Sequence, residues 1–270
     1  MKKSILLIGD TIIDKYVYLS PVGFSLETPT VKCQKIKERK EYGGAANVAR
    51  KLTQLGCEVD FITSLSLKEK NILESINNLN VICVAEEDQI KERFYLTKNK
   101  TYKYLQINDC REITTSTPNL DIEKYDTIII SDYRLGVASE HILSLLPKNK
   151  TICQMQISDS NAKIEKYQGF HCFVGNEDEV PKLKIEKIRN ENRFDVCVST
   201  GGSKEITAIT HDKIFHHRPV ELKKIRDHHG AGDSFFAGFC FAYNGKNIQE
   251  SIEFGDMTAK EYLTRNENVE

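Results

Sequence analysis

Short apolar runs alternate with stretches of helical spacing along most of the chain. Buried strands are predicted from continuous β-rich runs at 4–8, 58–63, 81–84, 126–131, 151–157, 172–174 and 195–199. Helices are predicted from apolar positions three and four residues apart at 45–55, 71–79, 140–146, 232–243 and 248–263. Alternation of this kind favours a parallel sheet that helices cover on both faces. The pattern therefore predicts an α/β fold.

Two stretches break this alternation. Residues 15–42 and 90–107 are polar, aromatic and β-like, without helical spacing. In the second stretch, apolar and aromatic residues flank 98–100, which predicts a hairpin. We expect a small antiparallel β element that projects from the main sheet. Because no linker, repeat or low-complexity tract divides the chain, we expect a single domain over 1–270.

Composition narrows the classes of function. The 270 residues include 38 basic and 39 acidic ones, so the net charge is −1, which argues against a dedicated nucleic-acid binder. No run of about 18 apolar residues is present, so we expect no membrane partner. The apolar run at 4–8 is too short for a signal peptide. The eight cysteines are dispersed without a C-x-x-C pair, and we interpret them as reduced core thiols of a cytoplasmic protein.

The strongest chemical signal is a glycine turn before an apolar helix. Gly230, Ala231 and Gly232 are small enough to let a ligand approach the backbone. The N–H groups of a helix N-terminus favour a bound anion. Asp233 lies in the first turn, where a carboxylate can take a proton from an attacking hydroxyl. The alternative is that Asp233 and Ser234 merely cap the helix.

Two further segments carry polar groups in suitable places. Gly43 and Gly44 precede a helix that contains Asn47, whose amide donates and accepts hydrogen bonds and so suits a sugar hydroxyl. Asp10 and Asp14 follow the first strand, and ligands of open α/β sheets bind at the carboxyl ends of strands. The alternatives are a plain helix cap and an ordinary polar turn.

Together these segments resemble the ribokinase-like (PfkB) family of sugar kinases. The motifs are G-G-A-A-N-V-A at 43–49, N-E-D-E at 176–179, S-T-G-G at 199–202 and G-A-G-D at 230–233, and the resemblance runs in order over about 4–260. It implies a three-layer α/β/α sandwich with a mainly parallel central sheet and a small β-sheet lid. The lid is expected at about 15–42 and 88–108, and it often forms the dimer interface in relatives, so a homodimer is expected.

A closer resemblance is to the D-glycero-β-D-manno-heptose 7-phosphate kinases. Similar motifs occur at 9–16, at 25–29, at the K-x-R of 91–93 and at the S-D-Y of 131–133 with Gly136. The nucleotidyltransferase half of fused forms is expected to be absent.

The resemblance implies phosphoryl transfer from ATP to a hydroxyl of a sugar or sugar phosphate, most simply heptose 7-phosphate. Asp233 is the implied general base, and the backbone N–H groups of Gly230, Ala231 and Gly232 hold the transferring charge. The implied substrate-binding residues are Asp10, Asp14, Gly43, Gly44, Asn47, Lys91, Arg93 and Asp132. The implied nucleotide-binding residues are Asn176, Glu179, Thr200, Gly202, Asp227 and His229. Asn176 and Glu179 are implied to organise Mg²⁺ through water.

Lys91 and Arg93 suit a phosphate already present on the substrate. Their alternative is a solvated charged strand, and the sequence does not separate the two. The basic stretch at 32–40 is interrupted by acidic residues and is interpreted as a solvated face of the lid.

Some positions depart from the family pattern. His228 and His229 replace small hydroxyl residues, Leu135 replaces a lysine, and residues 159–161 differ from the usual D-P-K. Two alternatives therefore stay open. The protein is a kinase of another sugar or nucleoside, such as fructose, ribose or adenosine, or a catalytically weakened binding protein. Zinc binding by the pairs 216–217 and 228–229 is less favoured, because adjacent histidines rarely point to one ion.

Overall fold

A central sheet with helices on both faces forms the body of the protein. The computed structural model describes residues 2–156, 163–222 and 230–264. The central-sheet strands are β1 Ser4–Gly9, β4 Glu58–Ser64, β5 Leu79–Ala85, β8 Thr127–Asp132, β9 Thr151–Met155, β10 Cys172–Asn176, β11 Val196–Thr200, β12 Ile206–Ile209 and β13 Ile214–His217. The helices are α1 Ala45–Gln54, α2 Leu67–Leu73, α3 Glu140–Ser144, α4 Ile185–Asn192, α5 Ala231–Ala242 and α6 Ile248–Thr264.

The central strands lie in the order β13-β12-β11-β10-β9-β8-β1-β4-β5. Neighbours from β5 across to β11 pair in parallel, and β12 and β13 add antiparallel strands at one edge. Side chains of β1 alternate between the two faces. Ile5 and Leu7 join the core under α1 and α5, whereas Leu6 and Ile8 join the core under α3 and α4. The predicted three-layer α/β/α sandwich with a mainly parallel central sheet is confirmed.

A second sheet, which we call the small sheet, has four strands. They are β2 Thr11–Phe24, β3 Val31–Gly44, β6 Gln89–Thr97 and β7 Thr101–Asp109, in the order β3-β2-β6-β7. The outer pairs are antiparallel, but β2 and β6 pair in parallel, so the predicted antiparallel element is in fact mixed. The reason is topological. Both β2 and β6 leave the same edge of the central sheet, after the carboxyl ends of β1 and β5, and therefore run in the same direction.

One predicted helix is wrong in position. The sequence pattern placed a helix at 71–79, whereas α2 spans Leu67–Leu73 and Leu79 begins strand β5. Leu73, Ile76 and Leu79 have the spacing of a helix, but Asn78 adopts a left-handed backbone with φ of 64° and ends the turn. The chain can then pair with β4 instead of continuing a helix. Helix α4 and the hairpin of β12 and β13 were not predicted.

Composition and structure agree on the thiols. All eight cysteines are free, and five of them are buried, while Cys33 is exposed on the small sheet. The basic stretch at 32–40 is mostly exposed, as expected for a solvated face. In the described part of the chain, no helix has the length and apolar character needed to cross a membrane.

The buried carboxylate of Asp10 connects two central strands. Asp10 follows β1 and is 1% exposed. Its oxygens accept backbone N–H bonds from Tyr133 at 2.8 Å, Leu135 at 3.2 Å and Val137 at 3.0 Å. Burial and the neighbouring Asp132 raise the pKa of Asp10, and the three hydrogen bonds oppose that rise. Asp10 therefore holds the turn that follows β8.

We expect Asp10→Asn to destabilise the fold. The amide offers one acceptor oxygen, and its NH₂ faces backbone donors, so at least one buried N–H loses its partner. A buried donor left unpaired costs about 1–3 kcal/mol. Urea unfolding measures the loss, with Asp121→Asn at an exposed position as the control. Equal stability of the two variants would contradict this role of Asp10.

Candidate active site

A cavity of about 410 Å³ opens at the carboxyl ends of β8, β9, β10 and β11, beside the small sheet. Such an edge is where open α/β sheets bind ligands. Of the residues predicted for the site, these line it: Asp14, Gly43, Gly44, Asn47, Lys91, Arg93, Asp132, Asn176, Glu179, Thr200, Gly230, Gly232 and Asp233. One cavity thus joins segments from both ends of the chain.

Other predicted residues have different positions. Asp10 does not line the cavity, because its carboxylate is buried beneath the turn after β8. Gly202 lies beyond the lining in the turn after β11, and Ala231 lies within the first turn of α5 between two lining glycines. Asp227 and His229 lie outside the described residues, as do His228 and residues 159–161.

Three side chains, Tyr133, Asn47 and Gln154, hydrogen-bond the carboxylate of Asp233 at the start of α5. Its Oδ1 accepts a short hydrogen bond from the hydroxyl of Tyr133, and its Oδ2 accepts one from Nδ2 of Asn47 at 3.3 Å. Burial raises the pKa of Asp233 to about 6, and these hydrogen bonds limit the rise. A carboxylate with this pKa is ionised at neutral pH yet basic enough to accept a proton.

Asn47 connects Asp233 to helix α1. Its Oδ1 accepts a hydrogen bond from Nη2 of Arg50 at 2.6 Å, while its Nδ2 donates to Asp233. The Asn47 side chain also forms a hydrogen bond with the hydroxyl of Tyr262 on α6. Neither Arg50 nor its contact with Asn47 was predicted.

Two glycines allow the helix N-termini to approach. Gly44 and Gly230 precede α1 and α5 with φ of 62° and 87°. A Cβ on Gly230 would lie 2.5 Å from Nδ2 of Asn47 and 2.8 Å from the hydroxyl of Tyr262. Only glycine fits there, both for its backbone conformation and for the space available.

The small sheet contributes basic groups to the cavity. Arg93 is 8% exposed and pairs with the carboxylate of Asp14 on the neighbouring strand β2. Its Nε has no hydrogen-bond partner among the described residues. Lys91 lies two positions earlier on β6, therefore on the same face, and also lines the cavity. The interpretation of a solvated charged strand does not hold for Arg93, which is buried.

Asp132 uses most of its acceptor capacity within the protein. It is 1% exposed, and its carboxylate accepts hydrogen bonds from the backbone N–H of Arg134 at 2.7 Å, from Nζ of Lys166 at 3.0 Å and from the hydroxyl of Tyr167. Asp132 thus lines the cavity with a carboxylate that is already paired with the ammonium group of Lys166.

Asn176 and Glu179 close a reciprocal turn after β10. Oδ1 of Asn176 accepts the N–H groups of Asp178 and Glu179 at 2.9 and 3.0 Å, and Oε2 of Glu179 accepts the N–H of Asn176 at 2.8 Å. No cluster of three His, Cys, Asp or Glu side chains occurs within the described ranges. This donor set does not chelate a bare ion, but it fits a Mg²⁺ ion that keeps its water shell.

Comparison with known families agrees with this geometry. The model of the pfkB family of carbohydrate kinases matches residues 2–267. The chain belongs to this family. The carbohydrate kinases of this family are phosphotransferases with an alcohol group as acceptor. Similar curated proteins include the bifunctional protein HldE of Aliarcobacter butzleri, 27% identical over 96% of this chain, and that of Vibrio parahaemolyticus, 29% identical over 94%. The chain spans 60% and 59% of their lengths.

Solved structures support the fold of this chain. The ribokinase of Thermotoga maritima superposes with a TM-score of 0.71 at 18% identity, over 98% of this chain and 94% of that one. The Arabidopsis thaliana ribokinase complexed with ribose and ATP superposes with a TM-score of 0.72 at 15% identity, over 98% and 94%. The kinase therefore has the ribokinase-like fold.

Several cavity residues of the kinase were missed by sequence reasoning. They are Tyr16, Glu41, Tyr42, Arg50, Tyr133, Gln154 and Tyr262. Tyr133 lies inside the S-D-Y motif of 131–133, so the sequence held a signal for it. Gln154 and Tyr262 reach the cavity only through tertiary packing and carry no such signal.

The histidine pair at 216–217 contacts two separate acids. His216 lies 3.1 Å from Glu205 and His217 lies 2.7 Å from Asp256, which also pairs with Lys260. The two rings therefore belong to different contacts on different elements. The other pair lies outside the described residues.

We expect Gly230→Ala to lower turnover about tenfold or more, because the added Cβ meets Tyr262 and displaces the Asn47 amide that donates to Asp233. Gly245→Ala is the matched control. Its φ of 90° imposes the same backbone strain, but no atom lies within 4 Å of the added Cβ. Turnover and thermal unfolding are measured for both variants. Backbone strain acts in both, whereas displacement of neighbouring atoms acts only in Gly230→Ala. Equal turnover in the two variants would show that any loss comes from backbone strain and not from displacement of neighbouring atoms.

Proposed function

We propose that the kinase transfers the γ-phosphoryl group of ATP to a hydroxyl of a sugar phosphate, specifically heptose 7-phosphate. One observation carries this proposal. The half-buried carboxylate of Asp233, at the N-terminus of α5, shares a single cavity with the basic pair Lys91 and Arg93. The first group suits activation of a hydroxyl, and the second suits a phosphate on the same molecule.

The proton of the acceptor hydroxyl passes to Asp233 in the proposed reaction. The oxygen then attacks the γ-phosphorus, and ADP leaves with the electrons of the broken P–O bond. Backbone N–H groups at the first turn of α5 have no partner inside the helix and stabilise the negative charge of the transferring group. Asn47 keeps the carboxylate aimed at the acceptor.

Mg²⁺, when bound, neutralises charge on the nucleotide phosphates. Glu179 is the residue that would hold it, through water, with Asn176 fixing the carboxylate by its backbone N–H. We assign the nucleotide to the side of the cavity formed by Asn176, Glu179 and Thr200, which lie at the ends of β10 and β11. Gly202 supplies the adjoining turn.

We assign the sugar to the side formed by Asp14, Gly43 and Asn47. The pairing of Arg93 with Asp14 supports a phosphorylated substrate, because an arriving phosphate finds a guanidinium already oriented at the cavity wall. The similarity of the motifs at 9–16, 91–93 and 131–136 to heptose 7-phosphate kinases supports the same assignment.

We also propose that the chain forms one kinase domain with the small sheet as its lid, and that two copies dimerise through that sheet. Exposed apolar side chains on the small sheet support this proposal: Val31, Ile36, Tyr102, Tyr104, Leu105 and Ile107. The eight free thiols support a cytoplasmic location.

The purified kinase, offered ATP, Mg²⁺ and a panel of sugars and sugar phosphates, is expected to release ADP with heptose 7-phosphate and not with fructose, ribose or adenosine. Asp233→Asn should lower turnover by about 10²–10⁴-fold, since it removes the proton acceptor. Asp121→Asn, at an exposed position, should keep full turnover.

Two results of this assay would change the conclusion. Turnover with another sugar or nucleoside would move the kinase to a different substrate. No ADP above the Asp233→Asn level for any acceptor would leave a binding protein without catalysis.

Lys91→Met is expected to raise KM for the phosphorylated sugar about tenfold, because it removes one charged contact to phosphate. The turnover number at saturation should change little. Lys98→Met, at the exposed tip of the β6–β7 hairpin, is the matched control and should leave KM unchanged. An unchanged KM for Lys91→Met would remove Lys91 from the phosphate site.

A further inference from the structure

We propose that Tyr133 is a positioning residue for the base of this kinase: its hydroxyl keeps the carboxylate of Asp233 ionised and fixed in one orientation. The inference rests on the proposed function, in which Asp233 accepts the proton. It assigns a task to the tyrosine of the S-D-Y motif at 131–133, to which the sequence analysis gave no role.

Tyr133 is anchored at both ends. Its backbone N–H donates to the buried carboxylate of Asp10 at 2.8 Å, and its hydroxyl donates to Oδ1 of Asp233. The residue follows the last position of β8 and lines the cavity. Backbone and side chain are therefore both fixed, and the phenol is held where it meets the carboxylate without a search through rotamers.

The phenol hydroxyl is the donor in its hydrogen bond with the ionised carboxylate of Asp233 at neutral pH. Burial and the nearby charge of Asp233 raise the pKa of Tyr133 well above its ordinary value, so the hydroxyl keeps its proton. A donor to a carboxylate favours the ionised form of that carboxylate. Tyr133 thus opposes the effect of burial, which favours the protonated and catalytically inert form of Asp233.

Asn47 and Gln154 also hydrogen-bond the carboxylate of Asp233, so Tyr133 is one of three donors to it. The described polar and charged groups that face Asp233 or Tyr133 are Asp14 on β2, Asn47 and Arg50 on α1, Gln154 on β9, Glu179 after β10 and Tyr262 on α6. Asp14 and Glu179 are acidic and oppose ionisation of their neighbours. Asn47 donates at 3.3 Å, a longer bond than that of Tyr133.

Asp10 acts on the base through this tyrosine. It has no contact with the cavity, yet it is buried and accepts three backbone N–H groups of the turn that carries Tyr133. The link runs from the end of β1, through the turn after β8, to the start of α5. Through this link, Asp10 helps to fix the orientation of Asp233, although Asp10 itself does not line the cavity.

The test is the pH dependence of turnover in Tyr133→Phe, which keeps the ring and removes the hydroxyl. The acid limb of kcat/KM, set by protonation of Asp233, should move to higher pH by about one unit, the size expected for one hydrogen bond to a charged group. Turnover should then recover at alkaline pH. Tyr125→Phe is the matched control, because it removes a tyrosine–aspartate bond of 2.6 Å to Asp60, away from the cavity.

A second measurement does not depend on turnover. Carbon-13 NMR follows the titration of the Asp233 carboxyl, whose signal is assigned by its loss in Asp233→Asn. Its pKa should rise in Tyr133→Phe and stay unchanged in Tyr125→Phe. An unshifted titration, or a loss of turnover that is equal at every pH, would overturn the role of Tyr133. Absence of turnover in the unaltered protein would overturn the proposed function alone, and the titration would still decide this inference.

Discussion

The hydrogen bond from Asn47 to Asp233 joins residues that are 186 positions apart in the chain. It forms because two helices, α1 and α5, begin at the same edge of the central sheet, and because Gly230 leaves room for the amide. The cavity, the basic groups of the small sheet and the turn after β8 are arranged around this contact. Loss of solvent at that place raises the pKa of the Asp233 carboxylate, and its hydrogen bonds limit that rise.

The charge of the whole chain does not attract its substrates. With a net charge of −1, the protein has no field that draws in polyanions. In the proposed function, attraction is local, from the helix N-termini, Lys91 and Arg93. Arg93 is already paired with Asp14, so its charge is oriented inside the protein at little cost in solvation. Local pairing of this kind supports selectivity for a ligand of matching shape more than general affinity for anions.

The small sheet depends on the central sheet for its geometry. Strands β2 and β6 leave neighbouring parts of one edge and pair in parallel over 12–19 and 89–96. Their side chains reach the cavity on one face, while β3 and β7 present exposed apolar and basic residues at the rims. The cavity is lined by residues of both sheets.

Local pattern determined much of this protein from the sequence alone. Continuous apolar runs such as 4–8 and 127–130 can only be buried strands in a chain of this composition, and glycines before apolar helices marked both halves of the site. Tertiary structure decided what depends on distant partners. Leu79 begins a strand because it pairs with β4. The carboxylate of Asp10 accepts backbone N–H groups of the turn after β8, and the hydroxyl of Tyr133 donates to Asp233. The periodicity of the sequence indicates which face of its helix or strand a residue occupies. The residue that it contacts on that face depends on the packing of the whole chain.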